Sequence, residues 1–249
     1  TANNPPNVSN ALGINQDGTV AYTGFEPALA SAWPKTAVNI QKWTAGTSAM
    51  VNTNATADGT VSVPSNVAGA VDPTTGIYYF GGYTQAAPPV LRLFAYDPVA
   101  NKYWHALNVN VPEGRNSNGN GDLAFDASGN LYLVWSPGTA PNNQTVLARV
   151  NAGSVPTSKP TSVSTVTADF IRNLNGPANG AFNGITFDAD GRLYVSNTAS
   201  NSGVQELNPA TGEFVGTPIG ANTFNFTDLA ACGSPPTMRL EKNIIERHT

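Results

Sequence analysis

The chain is poor in groups that can do chemistry. Its 249 residues include 2 histidines, 1 cysteine and 16 acids, against 12 lysines and arginines. His105 lies in KYWHAL among aromatics, and His248 is one residue from the end. A histidine acid–base pair or a nucleophile triad is therefore hard to assemble. No G-x-S-x-G elbow or H-E-x-x-H run is present, and the lone Cys232 forbids a C-x-x-C pair. The acids are better placed. Asp188-Ala189-Asp190-Gly191 opens like a calcium loop, but Ala199 and Ser200 stand where its Glu is required. It reads as a turn whose Asp binds its own backbone. Asn10, Asp122, Asn183 and Asp228 form a second constellation, each at the start of an apolar strand-like segment. Gathered round an axis, their oxygens would suit Ca²⁺ or another hard cation. Against this, no Glu or His joins the set, and the matching place in the second segment holds only Val67, Ala68 and Gly69.

The elements that must position these residues repeat. Four segments share alternating apolar residues, a turn carrying Gly, and a second apolar run. They are NALGINQDGTVAY from Asn10, AGAVDPTTGIYYF from Ala68, GDLAFDASGNLYLVW from Gly121 and NGITFDADGRLYVSN from Asn183. Their turn glycines are Gly18, Gly76, Gly129 and Gly191, recurring about every 58 residues. Each unit reads as a hairpin with Gly where a positive φ is wanted. Further strand signals follow each hairpin in VNIQKWTAGT, LRLFAYDPVANKYW, TVLARVNAG and VQELNPATGEF. A four-stranded unit repeated at this spacing predicts an all-β propeller. An all-β sandwich is the competing architecture, though it does not require equivalent hairpins at regular spacing. A further inner strand, Phe226 to Cys232, suggests five blades, with six as the alternative. The last would be completed by the N-terminal region or by residues upstream of Thr1, which would also supply a partner for Cys232. The propeller is expected to span residues 1–234, and residues 235–249 to be a linker and the start of a following domain.

Composition narrows the partners. Only 11% of residues are charged, the net charge is −4 and no basic cluster occurs, so neither nucleic acid nor an anionic membrane surface is an expected partner. No apolar run approaches the roughly 18 residues of a membrane span. Polarity carried by Asn, Thr, Ser and Gly suits exported β proteins. The opening TANNPPNVSN shows no signal peptide, so any such leader is expected to have been removed. Asn-x-Ser/Thr occurs at Asn7, Asn54, Asn143 and Asn225. Loops at 84–89, 110–120 and 136–143 are rich in Asn, Gly and Pro and suit binding on a rigid frame. Most aromatics, Trp43, Trp104 and Trp135 included, are expected between blades. Trp33, in SAWPK, and Tyr83, beside Gly81-Gly82, are the candidates for a sugar-binding platform.

NALGIN…DG…AY, GDLAFDASGNLYL, NGITFDADGRLYVSN and the terminal FTDLAAC before a Pro-rich break resemble propellers of bacterial surface proteins. In these a propeller precedes immunoglobulin-like or prealbumin-like stalk repeats, and RLEKNI resembles the opening strand of such a repeat. The phrase FDxxGNLYV is shared with propellers of the NHL and gluconolactonase-like kinds. The resemblance implies a secreted or cell-surface module that binds a glycan or a host or neighbour-cell protein, without catalysis or cofactor. Two alternatives stay open. One is a calcium-dependent propeller hydrolase with its metal at Asn10, Asp122, Asn183 and Asp228; the other is a structural subunit self-associating in an extracellular fibre.

Overall fold

In the computed structural model, the residues described are 9–25, 36–64, 66–84, 86, 88–113, 119–137, 144–175, 181–197, 203–220 and 229–230. They form four sheets, each built on four antiparallel strands that run outward from a central axis in chain order. Blade 1 is β1 (Ser9–Ile14), β2 (Val20–Phe25), β3 (Asn39–Thr44) and β4 (Val51–Asn52). The short β5 (Thr56–Ala57) leaves it for blade 2, made of β6 (Ala68–Val71), β7 (Tyr78–Tyr83), β8 (Val90–Asp97) and β9 (Lys102–Asn110). Blade 3 is β10 (Gly119–Phe125), β11 (Leu131–Pro137), β12 (Gln144–Val150) and β14 (Asp169–Asn175). The excursion before β14 carries β13 (Ser164–Thr167). Blade 4 is β15 (Phe182–Phe187), β16 (Leu193–Asn197), β17 (Val204–Leu207) and β18 (Phe214–Ile219).

The propeller is thus confirmed, and the blade count is corrected from five to four. Each repeat builds its own inner hairpin, and the fourth blade is complete with β15 to β18. The N-terminal strand β1 is the inner strand of blade 1, so it completes no later blade. Of the segment Phe226 to Cys232, only Leu229 and Ala230 are described. Cys232, Trp33, Asp228 and the stretch 235–249 lie outside the described residues.

Blades pack face to face, which explains why a strand such as β7 lacks a polar face. Strand side chains alternate between two surfaces, and here both surfaces are covered. All six residues of β7 are buried. Tyr78 and Phe80 join Tyr22, Ile40 and Phe94 between blades 1 and 2. Tyr79 and Tyr83 turn the other way, to Leu91, Leu123, Phe125 and Trp135 between blades 2 and 3. Tyr132, Leu147, Phe182 and Ile185 fill the third seam. Trp104 and Trp135 are buried as expected. The outer edge of blade 2 is closed by the chain itself: β5 and β13 both pair with β9 in parallel, and Lys159 grips Asp58 at 2.6 Å between them.

The hairpin turns behave as their composition predicts. Asp126 Oδ1 accepts the amides of Ser128 and Asn130, and Asp188 Oδ1 those of Asp190 and Arg192, all at 2.9 Å. Gly129 and Gly191 follow with φ of 80° and 81°, where a Cβ is disfavoured. Asp188 is therefore a turn residue. Asp188→Ala is expected to cost about 1 kcal/mol, measured by urea unfolding, with the same midpoint whether or not calcium is added.

Candidate axial site

The inner strands begin together at one mouth of the axis, but not in equivalent register. Counting back along the sequence from the turn residues Asn15, Asp72, Asp126 and Asp188, the positions that match Asp122 are Ala11, Ala68 and Gly184. Asn10 and Asn183 stand one residue earlier. The bulge between Asn10 and Gly13 takes up that offset, since a bulge adds an unpaired residue: Asn10 pairs with Gly24, three residues beyond Ala21, as Asp122 pairs with Val134, three beyond Leu131, whereas Asn183 is itself the extra residue between Phe182 and Gly184. By strand pairing, Asp122 therefore shares its level with Asn10 of blade 1, Ala68 of blade 2 and Gly184 of blade 4. Asn183 is buried and accepts the Ser136 hydroxyl at 2.6 Å. Asn10 pairs with Gly24 through the backbone register.

Asp122 is fully buried, and backbone amides surround its carboxylate. Oδ1 accepts from Leu123 at 2.7 Å and from Gly69 of blade 2 at 3.4 Å. Oδ2 accepts from Ile185 of blade 4 at 3.0 Å and from Leu229 at 3.4 Å. One side chain thus collects donors from three blades and a fourth, separate segment. A carboxylate accepts at about four lone-pair sites, so these bonds occupy the oxygens a cation would need. Among the described residues, no three His, Cys, Asp or Glu side chains cluster as metal ligands. Of the four residues of the calcium reading, Asp122 and Asn183 are thus engaged by hydrogen bonds within the protein, and Asp228 lies outside the described residues.

Below Asp122 the axis narrows to a cavity of about 40 Å³. By that measure one water needs roughly 10–15 Å³, so the space suits a few waters and no sugar ring. Among the described residues its lining is main chain and apolar side chains such as Leu12, Val71 and Phe187, with Thr186 as the polar exception.

Tyr83 is no platform for a ligand. It is buried, and its hydroxyl donates to the Val134 carbonyl at 2.8 Å. Burial, and then the charge of Asp122, pushes its ionisation far above the usual phenol range. The Gly81-Gly82 pair suggested an open position, but β7 lies between two blades and has no exposed face.

His105 is half-buried, stacked on Phe94 with ring centroids 4.8 Å apart, and its Nε2 lies 2.9 Å from Asn108 Oδ1. Burial, reinforced by Arg92 and opposed by the Asn108 bond, lowers its pKa. The unfolded imidazole, titrating near 6.5, takes up its proton before the folded one. Its contribution to stability is intact above that pH and is lost as pH falls toward the folded pKa. His105→Phe is expected to flatten this part of a melting-temperature profile between pH 7 and 5.

Two other surfaces are concave or apolar. A cleft of about 320 Å³ lies between the hairpin turns of blades 1 and 2, with Gln16, Asp17, Asp72 and Pro73 in its wall. Hydrogen bonds from the side chain and backbone of Thr19 hold the exposed Asp17 carboxyl below its ordinary range. The outermost strand of blade 4, β18, is exposed along all six residues, with Phe214, Val215 and Ile219 between 42% and 58% accessible. Sequence reasoning overlooked both. Glu213 and Gly216 flank or interrupt the apolar residues of β18, so no apolar run drew notice.

No family model matches the chain, and no curated protein matches it. Solved structures do, as folds. An exo-β-1,3-galactanase from Phanerochaete chrysosporium aligns over 84% of this chain and 50% of its own, with TM-score 0.52 and 16% identity. This chain thus spans half the galactanase's length. A calcium-binding regucalcin from Agrobacterium tumefaciens covers 90% of the chain and 77% of its own at 13% identity. A gluconolactonase from Xanthomonas campestris covers 86% and 63% at 14%. Both have a TM-score of 0.45. At such identities the likeness shows the propeller fold alone.

Proposed function

We propose that this chain is a non-catalytic propeller module that displays its outer surfaces to a glycan or protein ligand in an exported, cell-surface setting. The observation that carries this is the closure of the axis at Asp122. A glycosidase needs two carboxyl groups flanking its bond, and a metal hydrolase needs open ligand positions. At the described axial mouth, Asp122 is the one carboxylate, and backbone amides enclose it. Binding has better support. The cleft beside Asp17 and Gln16 has the volume of a small-ligand pocket. The exposed apolar edge of β18 suits contact with another protein. Among the described residues no helix is long and apolar enough to cross a membrane. Self-association in a fibre is a second reading, favoured by the same β18 edge.

Glycan and extracellular-protein arrays, run with hydrolysis assays on lactone and glycoside substrates, test the proposal. Saturable binding to one class with the ligand recovered unchanged is the expected result. Calcium-stimulated turnover would overturn it in favour of the hydrolase. Binding to nothing but a second copy of the chain would overturn it in favour of the fibre subunit.

A further inference from the structure

Four inner strands surround the axis, but they do not close it equally. β1 packs along β6, β6 along β10 and β10 along β15. Among the described residues β15 and β1 do not pack along each other in this way, which leaves one seam of the ring without the strand-to-strand contact of the other three. Leu229 and Ala230 lie at that seam. They line the axial cavity together with Leu12 to Ile14 of β1 and Thr186 and Phe187 of β15. Leu229 is seated tightly against blade 4. A Cβ placed on Gly184 would fall on Ser196 Oγ and stand 2.9 Å from Leu229 Cγ and 3.1 Å from the Leu229 amide nitrogen, so glycine lets both Ser196 and Leu229 approach here. The same amide donates to Asp122 Oδ2, the oxygen that also holds Ile185 of β15.

We propose that Leu229–Ala230 is a clasp that closes the four-bladed ring between its first and last inner strands, with Asp122 as the catch. The catch stands on blade 3, so one hydrogen bond ties the chain's return segment to the middle of the ring, and Gly184 provides its seat on blade 4. Opening the clasp frees β1 and β15 at the open seam and leaves the β6–β10 seam, filled by its own aromatic core, in place.

Native-state hydrogen exchange on the full chain, resolved by peptide, tests this. In the wild type the Leu229 amide is expected to exchange as slowly as the amides of β15; exchange within a few-fold of the free-chain rate would overturn the clasp. Leu229→Pro removes the amide that Asp122 accepts. It is expected to raise exchange in β1 and β15 about tenfold or more while β6 and β10 change less than about threefold. An equal rise in all four strands, or none, contradicts the proposal. Should that variant not fold, the wild-type Leu229 rate decides alone.

Discussion

Asp122→Ala is expected to remove about 4 kcal/mol of stability, a large share of the roughly 5–15 kcal/mol that holds a typical domain. The argument rests on what is left behind. Four backbone amides lose their acceptor, those of Gly69, Leu123 and Ile185 in a buried place and that of Leu229 in a partly buried one. Each orphaned donor costs about 1–3 kcal/mol, less than additively because the small axial cavity lets water reach some of them. Asp122→Asn separates hydrogen bonding from shape. It keeps one acceptor oxygen but turns an NH₂ group toward two N–H donors, so an intermediate loss of about 2 kcal/mol is expected. Urea unfolding of both variants gives the order wild type, Asn, Ala. A loss below about 1 kcal/mol for alanine would mean that the amide cluster does not hold the blades together.

The second large effect is expected at Gly69. A Cβ there would fall on the carbonyl oxygen of Ala11, on the inner strand of the neighbouring blade. That oxygen already accepts the Tyr78 hydroxyl, and main chain cannot step aside as a flexible side chain does. Relief requires the first seam to open, disturbing the stacked rings of Tyr22 and Tyr78, 5.5 Å apart. Overpacking a well-filled core costs about 1–3 kcal/mol, and a rigid backbone obstacle places Gly69→Ala at about 3 kcal/mol or more. The control is Gly46→Ala, in an exposed turn where nothing stands within 4 Å but φ is +86°. It carries a local backbone cost of about 1 kcal/mol without touching a seam. Equal melting temperatures for the two variants would show that blades 1 and 2 are not in main-chain contact.

These two residues show where the sequence is readable. The hairpins were legible because each carries its own local chemistry: Asp126 and Asp188 cap identical turns, and glycine follows at a positive φ. The burial of Trp104 and Trp135 was legible because aromatics alternate with apolar residues along strands covered on both sides. The axial ring was not. Asn183 looks equivalent to Asp122 when counted from the strand starts, but it is the extra residue of a bulge, whereas a bulge brings Asn10 level with Asp122, and nothing local announces a bulge. The blade count failed for a related reason. Phe226 to Cys232 has the composition of an inner strand, yet its described residues, Leu229 and Ala230, belong to no strand. Tyr83 was misplaced because Gly81-Gly82 suggests openness, whereas those glycines sit where β7 is enclosed. β13 was invisible, since its pairing is parallel and depends on blade 2 standing next to blade 3.

The proposed function rests on the axis being closed by its own backbone around Asp122 rather than by a bound cation. Metal analysis of the purified full-length chain, with melting curves in calcium and in EDTA, tests it most directly. The account predicts less than stoichiometric metal and superimposable melts. One tightly held cation per chain, whose chelation lowers the melting temperature, would contradict it and return the axial hydrolase to first place.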